Sequence, residues 1–145
     1  MKILSARPDG LIHARLPITN HNLNRLGSVH GGLISSIIDT CGSLSLSAKG
    51  LWMTGVSTDI HVSYLRPAGK EGSSIDIEAK VESMGKTLAY TSVFLRDPVT
   101  GKLLARGSHT KFIAPSVGHS MNVKFDETGE NIIEGKMPND VDIKN

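Results

Sequence analysis

At 145 residues, with 39% apolar residues and a mean hydropathy of −0.09, the chain fits one globular domain with a single core. A formal net charge of +2 is too small to imply nucleic acid as a partner, and no apolar run approaches the ~20 residues a membrane span requires. The single Cys41 excludes an internal disulfide. Its place on an apolar stripe suggests a buried thiol in a reducing compartment, so the expected location is cytoplasmic, with mitochondria or another organelle left open. Charge is unevenly spread: residues 1–113 hold 13 Lys and Arg against 8 Asp and Glu, net +5, whereas 114–145 hold 3 against 6, net −3. The basic body suits a small anionic ligand. The acidic segment 114–145 is expected to be a loosely packed or disordered extension after a domain of residues 1–113.

In chain order, Ile3 to Ala6 and Leu11 to Ile18 flank the turn Pro8-Asp9-Gly10 and read as a hairpin. Thr19 to Ser28 is an Asn-rich loop. A long helix follows from His30, closed by Gly50, with Leu33, Ile34, Ile37, Ile38, Cys41, Leu44 and Ala48 at helical spacing. Val56, Thr58, Ile60, Val62 and Tyr64 then alternate with Ser57, Asp59, His61 and Ser63 until Arg66-Pro67 stops the strand. Ile75 to Val81, Thr87 to Arg96 and Lys102 to Phe112 read as three more strands. Their turns are Met84-Gly85-Lys86 and Asp97-Pro98-Val99-Thr100-Gly101. Four hairpin-linked strands after a lone apolar helix predict an α+β domain, one curved antiparallel sheet of about six strands wrapped around the helix.

The helix face opposite its apolar stripe carries Gly32, Ser36, Asp39, Thr40, Ser43 and Ser47, with no Lys, Arg or Glu before Lys49. Solvated helix faces carry long charged side chains, so a second surface is expected to pack here. Asp is a mediocre helix former and costly to desolvate without a partner. Asp39 is therefore either a solvated carboxylate or one kept in a cleft for chemistry, and its small neighbours favour the second. The six His, at 13, 21, 30, 61, 109 and 119, show no pair at metal-ligand spacing, and no metal is expected. His61 and His109 read as structural strand residues. No dinucleotide or Walker glycine pattern occurs, and no Gly-x-Ser-x-Gly elbow accompanies His-Gly-Gly, which argues against an α/β-hydrolase.

Asn24-x-x-Gly27-x-x-His30-Gly31-Gly32, Asp39, Gly55-Val56-Ser57-x-Asp59, Tyr64-x-x-Pro67, Gly85-Lys86-Thr87 and Gly107-x-His109-Thr110-Lys111 form an ordered set. The set resembles the hotdog-fold acyl-CoA thioesterases, within them the subgroup similar to phenylacetate-pathway thioesterases and thioesterase superfamily member 2. The likeness runs from about Ile3 to Phe112. It implies a hotdog fold and hydrolysis of an acyl-CoA thioester at a site shared between two subunits, without cofactor or metal. It also implies a homodimer and pairing into a dimer of dimers. By the same resemblance Asp39 is general base or nucleophile, Asn24 and His30 orient the thioester or water, the Gly31 N–H is an oxyanion donor, and Ser57 holds the attacking water. Coenzyme A is expected to meet Tyr64, Arg66, Pro67 and Ala68 in one segment and Ser83, Gly85, Lys86 and Thr87 in another. Lys86 with Arg66 or Lys111 would face its phosphates, although Gly85-Lys86-Thr87 taken alone is an ordinary hairpin turn. Trp52 and Met53 either line the acyl pocket or cover the core.

Helix geometry adds an independent argument. Asp39 lies nine residues past His30, roughly 13 Å of rise and about 180° of rotation away. One chain cannot bring them into one site, whereas two antiparallel copies of the helix about a twofold axis would. The rival reading is a non-catalytic acyl-CoA-binding hotdog module; a hotdog dehydratase fits less well, because His and Asp do not follow the order and spacing of those enzymes.

Overall fold

The computed structural model describes residues 1–135. Strands β1 (Lys2–Ala6) and β2 (Ile12–Pro17) precede helix α1 (Gly31–Ala48), and β3 (Val56–Tyr64), β4 (Ser74–Met84), β5 (Leu88–Arg96) and β6 (Leu103–Phe112) follow it. All six strands join one antiparallel sheet in the order β1-β2-β4-β5-β6-β3, as the hotdog expectation requires. The β1–β2 hairpin turns where Pro8-Asp9-Gly10 predicted it, with Gly10 at φ +88°.

The expected unbroken run of hairpins is not what forms. β3 does not pair with β4; it pairs with β6 at the far edge, Ser57 opposite Lys111 and Tyr64 opposite Ala105. The place beside β4 is taken by β2, where Leu16 faces Ile75 and Arg15 pairs with Asp76 through two hydrogen bonds of 2.6 and 2.9 Å. β3 is left as an edge strand, with Val56, Ile60 and Tyr64 exposed.

The sheet wraps the helix along the predicted stripe. Ile34, Ile37, Ile38 and Cys41 are buried among Ile75, Ile77 and Leu95. Burial pushes the Cys41 thiol up to about 11, which leaves it protonated and inert. In its second half the buried face shifts to Gly42, Ser45 and Leu46, which the stripe did not include. Leu46 starts a second small cluster with Leu51, Ala89 and Ile113. Of the small-residue face, Gly32, Ser36, Thr40 and Ser47 are exposed, and Asp39 and Ser43 are half-buried.

Where a loose extension was expected, residues 114–135 fold back against the end of the helix. Val123 N–H donates to Gly50 O (3.0 Å), and Asn122 bridges Trp52 N–H (2.9 Å) and Ser116 O (2.8 Å). Two short strands, β7 (Lys124–Phe125) and β8 (Ile132–Glu134), close a turn built on Asp126, whose carboxylate accepts from Thr128, Gly129 and Asn131. These bonds, led by Asn131 and Thr128, hold Asp126 down at about 2. Scattered apolar residues cannot make a core, but polar caps on the exposed ends of another element need none. The rest of the expected extension, residues 136–145, lies outside the described residues.

Helix and sheet approach each other closely at two glycines. A Cβ at Gly107 on β6 would lie 2.7 Å from two Ile38 carbons and 2.8 Å from His61 O; one at Gly42 would lie 2.7 Å from Thr91 Oγ1 and 2.8 Å from His109 Nδ1. Gly107→Ala is expected to overpack this contact and cost about 1–3 kcal/mol. Urea denaturation would read it as a lowered midpoint at unchanged slope. Gly85→Ala, whose nearest neighbour is an ordinary contact at 3.7 Å, should move the midpoint little.

Candidate active site

The candidate residues fall into two groups, one at the middle of the helix and one at its start. The first surrounds Asp39, whose side chain is 50% exposed. Ser57 Oγ lies 3.4 Å from Asp39 Oδ1, and His109 Nε2 lies 2.8 Å from Ser57 Oγ and 3.5 Å from Asp39 Oδ1. Ser57 reaches this position because β3 carries a bulge between Ser57 and Asp59 in its pairing with β6. Strict alternation places Ser57 on the face opposite Val62 and Tyr64. The extra residue, Thr58, reverses the parity, so Ser57 meets the helix at Asp39 while Val62 packs into the core and Tyr64 meets the helix at Gly31.

His109 is fully buried, and burial, with help from the Lys111 ammonium, holds its imidazole below the usual histidine range against the opposing pull of Asp39 and Asp59. Lys111, expected at the coenzyme A phosphates, is instead 5% exposed and donates to Ser43 Oγ (2.8 Å). Strand alternation puts it on the same inward face as Gly107 and His109. Burial lowers its ammonium as well, opposed by Asp39. A cleft of about 570 Å³ opens here, walled by Asp39, Ser43, Leu44, Trp52, Ser57 and Lys111. Trp52 therefore lines this cleft.

The second group gathers at the helix start. His30 is the N-cap, and its Nδ1 accepts from Gly32 N–H (3.0 Å). That leaves the neutral ring its proton on Nε2. Gly31 is the first helical residue, so its N–H has no intrahelical acceptor, and no other acceptor meets it among the described residues. Tyr64 donates its hydroxyl to Gly31 O (3.1 Å) and lies 2.7 Å from Ser35 Oγ. Arg66 donates to Leu103 O (2.7 Å), Pro67 is exposed, and Ala68 is buried with its carbonyl on Val29 N–H (2.8 Å). Asn24 spends its side-chain oxygen on Leu26 N–H (2.8 Å) and Ser28 N–H (3.3 Å), and its amide on Ser28 Oγ (3.1 Å). One amide hydrogen remains for a ligand. Asn24, Gly31, Tyr64, Arg66 and Ala68 line a cleft of about 380 Å³.

The two segments expected to hold coenzyme A do not meet in one chain. Ser83, Gly85, Lys86 and Thr87 are exposed at the β4–β5 turn, beside Phe112 and the start of β3; Tyr64 to Ala68 leave the other end of β3. Along β5 the separation from Leu88 to Leu95 is seven residues, about 23 Å. The Asp39 group shares its end of the sheet with the β4–β5 turn, and the Gly31 group shares its end with Tyr64 to Ala68.

His109 is the site residue that sequence reasoning assigned to structure. The signal was present: on β6 the inward positions run Leu104 or Ala105, Gly107, His109, Lys111, and two ionisable residues facing a core need a reason. Among the described residues, no group of three or more His, Cys, Asp or Glu is placed to hold a metal ion.

Residues 26–103 match the thioesterase superfamily. Acyl-coenzyme A thioesterase 13 of Mus musculus is 39% identical over 111 residues, 77% of this chain and 78% of its own length. The crystal structure of thioesterase superfamily member 2 from Mus musculus is 37% identical and superposes with a TM-score of 0.71, covering 77% of this chain and 80% of that one. A thioesterase protein of Streptococcus pneumoniae TIGR4, solved with coenzyme A, is 26% identical with a TM-score of 0.70, over 77% of this chain and 83% of its own. With six strands and one helix in the same arrangement and more than half of its residues matched, the chain belongs to the thioesterase superfamily.

Proposed function

We propose that the chain hydrolyses acyl-CoA thioesters to the free acid and coenzyme A, at two equivalent sites each completed by two copies of the chain. The observation that carries this reading is the separation of a carboxylate from the oxyanion donor it would need. Asp39 is held with Ser57, and the unpartnered Gly31 N–H lies eight residues up the helix, about 12 Å away. The relatives support the choice of substrate, since one is named an acyl-coenzyme A thioesterase and another was solved with coenzyme A.

The exposed edge of β3 supports the twofold arrangement. An unpaired strand with Val56 63% and Tyr64 54% exposed is a template for pairing with another chain. Antiparallel pairing of two β3 edges about Ile60 would set the Ser57 end of one copy beside the Tyr64 end of the other. It would also run the two helices antiparallel across their small-residue faces. Each Asp39 group, with its β4–β5 turn, then meets the Gly31 group and the Tyr64 to Ala68 segment of the other copy. Both expected coenzyme A segments converge on one ligand.

At such a site the thioester carbonyl oxygen takes the Gly31 N–H, at the positive end of the helix dipole. Asp39 either removes a proton from a water held by Ser57 or attacks the carbonyl carbon itself. A single turnover in ¹⁸O-water followed by analysis of both products and protein separates the two: an unlabelled first product acid with label on Asp39, or an anhydride trapped by hydroxylamine, marks attack by the carboxylate, whereas the base route labels the acid alone and leaves nothing to trap.

Release of free thiol from a panel of acyl-CoAs tests the activity, and failure to turn over any of them would favour the binding-module reading. Asp39→Asn should reduce kcat about 10²- to 10⁴-fold while retaining acyl-CoA binding and the urea midpoint. Gly31→Pro removes the proposed donor and sets its Cδ in the place of the amide hydrogen. Proline suits the first helical position, and His30 at φ −62°, ψ 133° already has the backbone that a residue before proline adopts. A loss of about 10²- to 10³-fold is expected there, against a small effect of Gly31→Ala, which keeps the N–H. Shared sites also predict complementation. Refolding Asp39→Asn together with Gly31→Pro should restore up to about a quarter of wild-type activity, because each hybrid dimer recovers one of its two sites. Hybrids without activity, or a fully active monomer in sedimentation, would overturn the shared site.

A further inference from the structure

We propose that His109 is a positioning residue for hydrolysis: its Nε2–H turns the Ser57 hydroxyl toward Asp39 and leaves a Ser57 lone pair free for the attacking water. The proposal rests on the thioesterase reading above, in its base-catalysed form.

The two ring nitrogens of His109 have unlike surroundings. Nδ1 is buried without a hydrogen-bond partner among the described residues, against the bare backbone of Gly42, where a Cβ would stand 2.8 Å away. Nε2 faces Ser57 Oγ at 2.8 Å and the Asp39 carboxylate at 3.5 Å. A proton on Nδ1 would be a buried donor with nothing to accept it, whereas a proton on Nε2 points at a hydroxyl oxygen and an anion. The ring is also kept from taking a second proton. The groups around it are Gly42 and Asp39 on α1, Thr91 on β5, Ser57 and Asp59 on β3, and Lys111 two residues along β6; burial and Lys111 outweigh the two carboxylates. The neutral Nε2–H form is the one the site selects.

That choice fixes the hydroxyl. A serine oxygen has one hydrogen and two lone pairs. With one lone pair taken by His109, the hydrogen turns to Asp39 Oδ1, 3.4 Å away, and one lone pair remains. A water between them can donate one hydrogen to Asp39 and the other to Ser57 Oγ, which aims its own lone pair at the thioester carbon. As the water oxygen bonds to that carbon, Asp39 takes the first hydrogen and the carbonyl π electrons move onto the oxygen at Gly31. Collapse of the tetrahedral adduct re-forms the carbonyl and expels the coenzyme A thiolate, and the proton held by Asp39 passes to the thiolate, directly or through water, which restores the carboxylate. Without the His109 donor the Ser57 hydroxyl is free to donate to the water instead, and that competes with the water's own lone pair for attack.

The test uses the full chain and an acyl-CoA that it hydrolyses. His109→Leu should lower kcat about 10- to 100-fold with KM within about twofold. His109→Gln, whose side-chain amide can place an N–H where Nε2 stands, should recover most of the loss. In a Ser57→Ala background His109→Leu should cost nothing further, because the imidazole acts through that hydroxyl. Nitrogen-15 NMR of the His109 ring should show the Nε2–H tautomer near neutral pH. An Nδ1–H or imidazolium ring, an undiminished rate in His109→Leu, a Gln variant as slow as Leu, or an equal loss without Ser57 would each overturn the proposal. If His109→Leu fails to fold, the Gln variant and the tautomer decide. Failure of the underlying reading is separately visible, as an Asp39→Asn protein at the wild-type rate, and would remove the proposal with it.

Discussion

Two missing side chains set the distance between helix and sheet, and the candidate site depends on that distance. At Gly107 the β6 backbone comes so close to Ile38 that no Cβ fits, and at Gly42 the helix backbone lies against Thr91 and His109 in the same way. Packed interiors tolerate little overlap, so the two contacts fix the height and rotation of α1 over β5 and β6. Asp39 is one turn of helix before Gly42 and Ser57 is on the strand beside His109; their 3.4 Å approach follows from the seating of the helix.

The same seating gives an ionisable cluster an interior position that would otherwise be costly. His109 and Lys111 face inward, and each loses hydration there. The imidazole keeps Ser57 as a partner, the ammonium keeps Ser43, and the Asp39 carboxylate stands open to the cleft. Polar groups held in low dielectric, with partners already in place, need little rearrangement when charge develops nearby. The cluster is preorganised from three elements, α1, β3 and β6. The expected oxyanion donor comes from the start of α1, whose first N–H has no acceptor among the described residues.

Surface features that are unusual for a solvated domain have one account in common. The small-residue face of α1, whose one charge is Asp39, and the partly apolar edge of β3 adjoin each other, and both clefts open beside them. Small residues permit close approach of another helix, and a bare strand edge offers backbone groups for pairing. The proposed second copy of the chain would satisfy both at once and would bring the two ends of the sheet, about 23 Å apart along β5, to a single ligand.

The sequence by itself determined the elements and much of what they carry. Six strands and one long helix were legible because hydrophobic period is a local property: 3.6 for Ile34 to Cys41, two for Ile75 to Ala79. Asp39, Gly31 and Ser57 were legible as candidates because their residue types and spacing match a family pattern. The tertiary structure alone decided the rest, because it depends on which distant segments pair. β3 went to the edge beside β6 because β2 occupied the flank of β4, and the bulge at Thr58 then reversed the parity that strict alternation assigned to Ser57. Lys111 turned inward to Ser43 and His109 came to rest on Ser57, since a residue's face on a strand is set by alternation, but what that face meets is set by the helix laid across it.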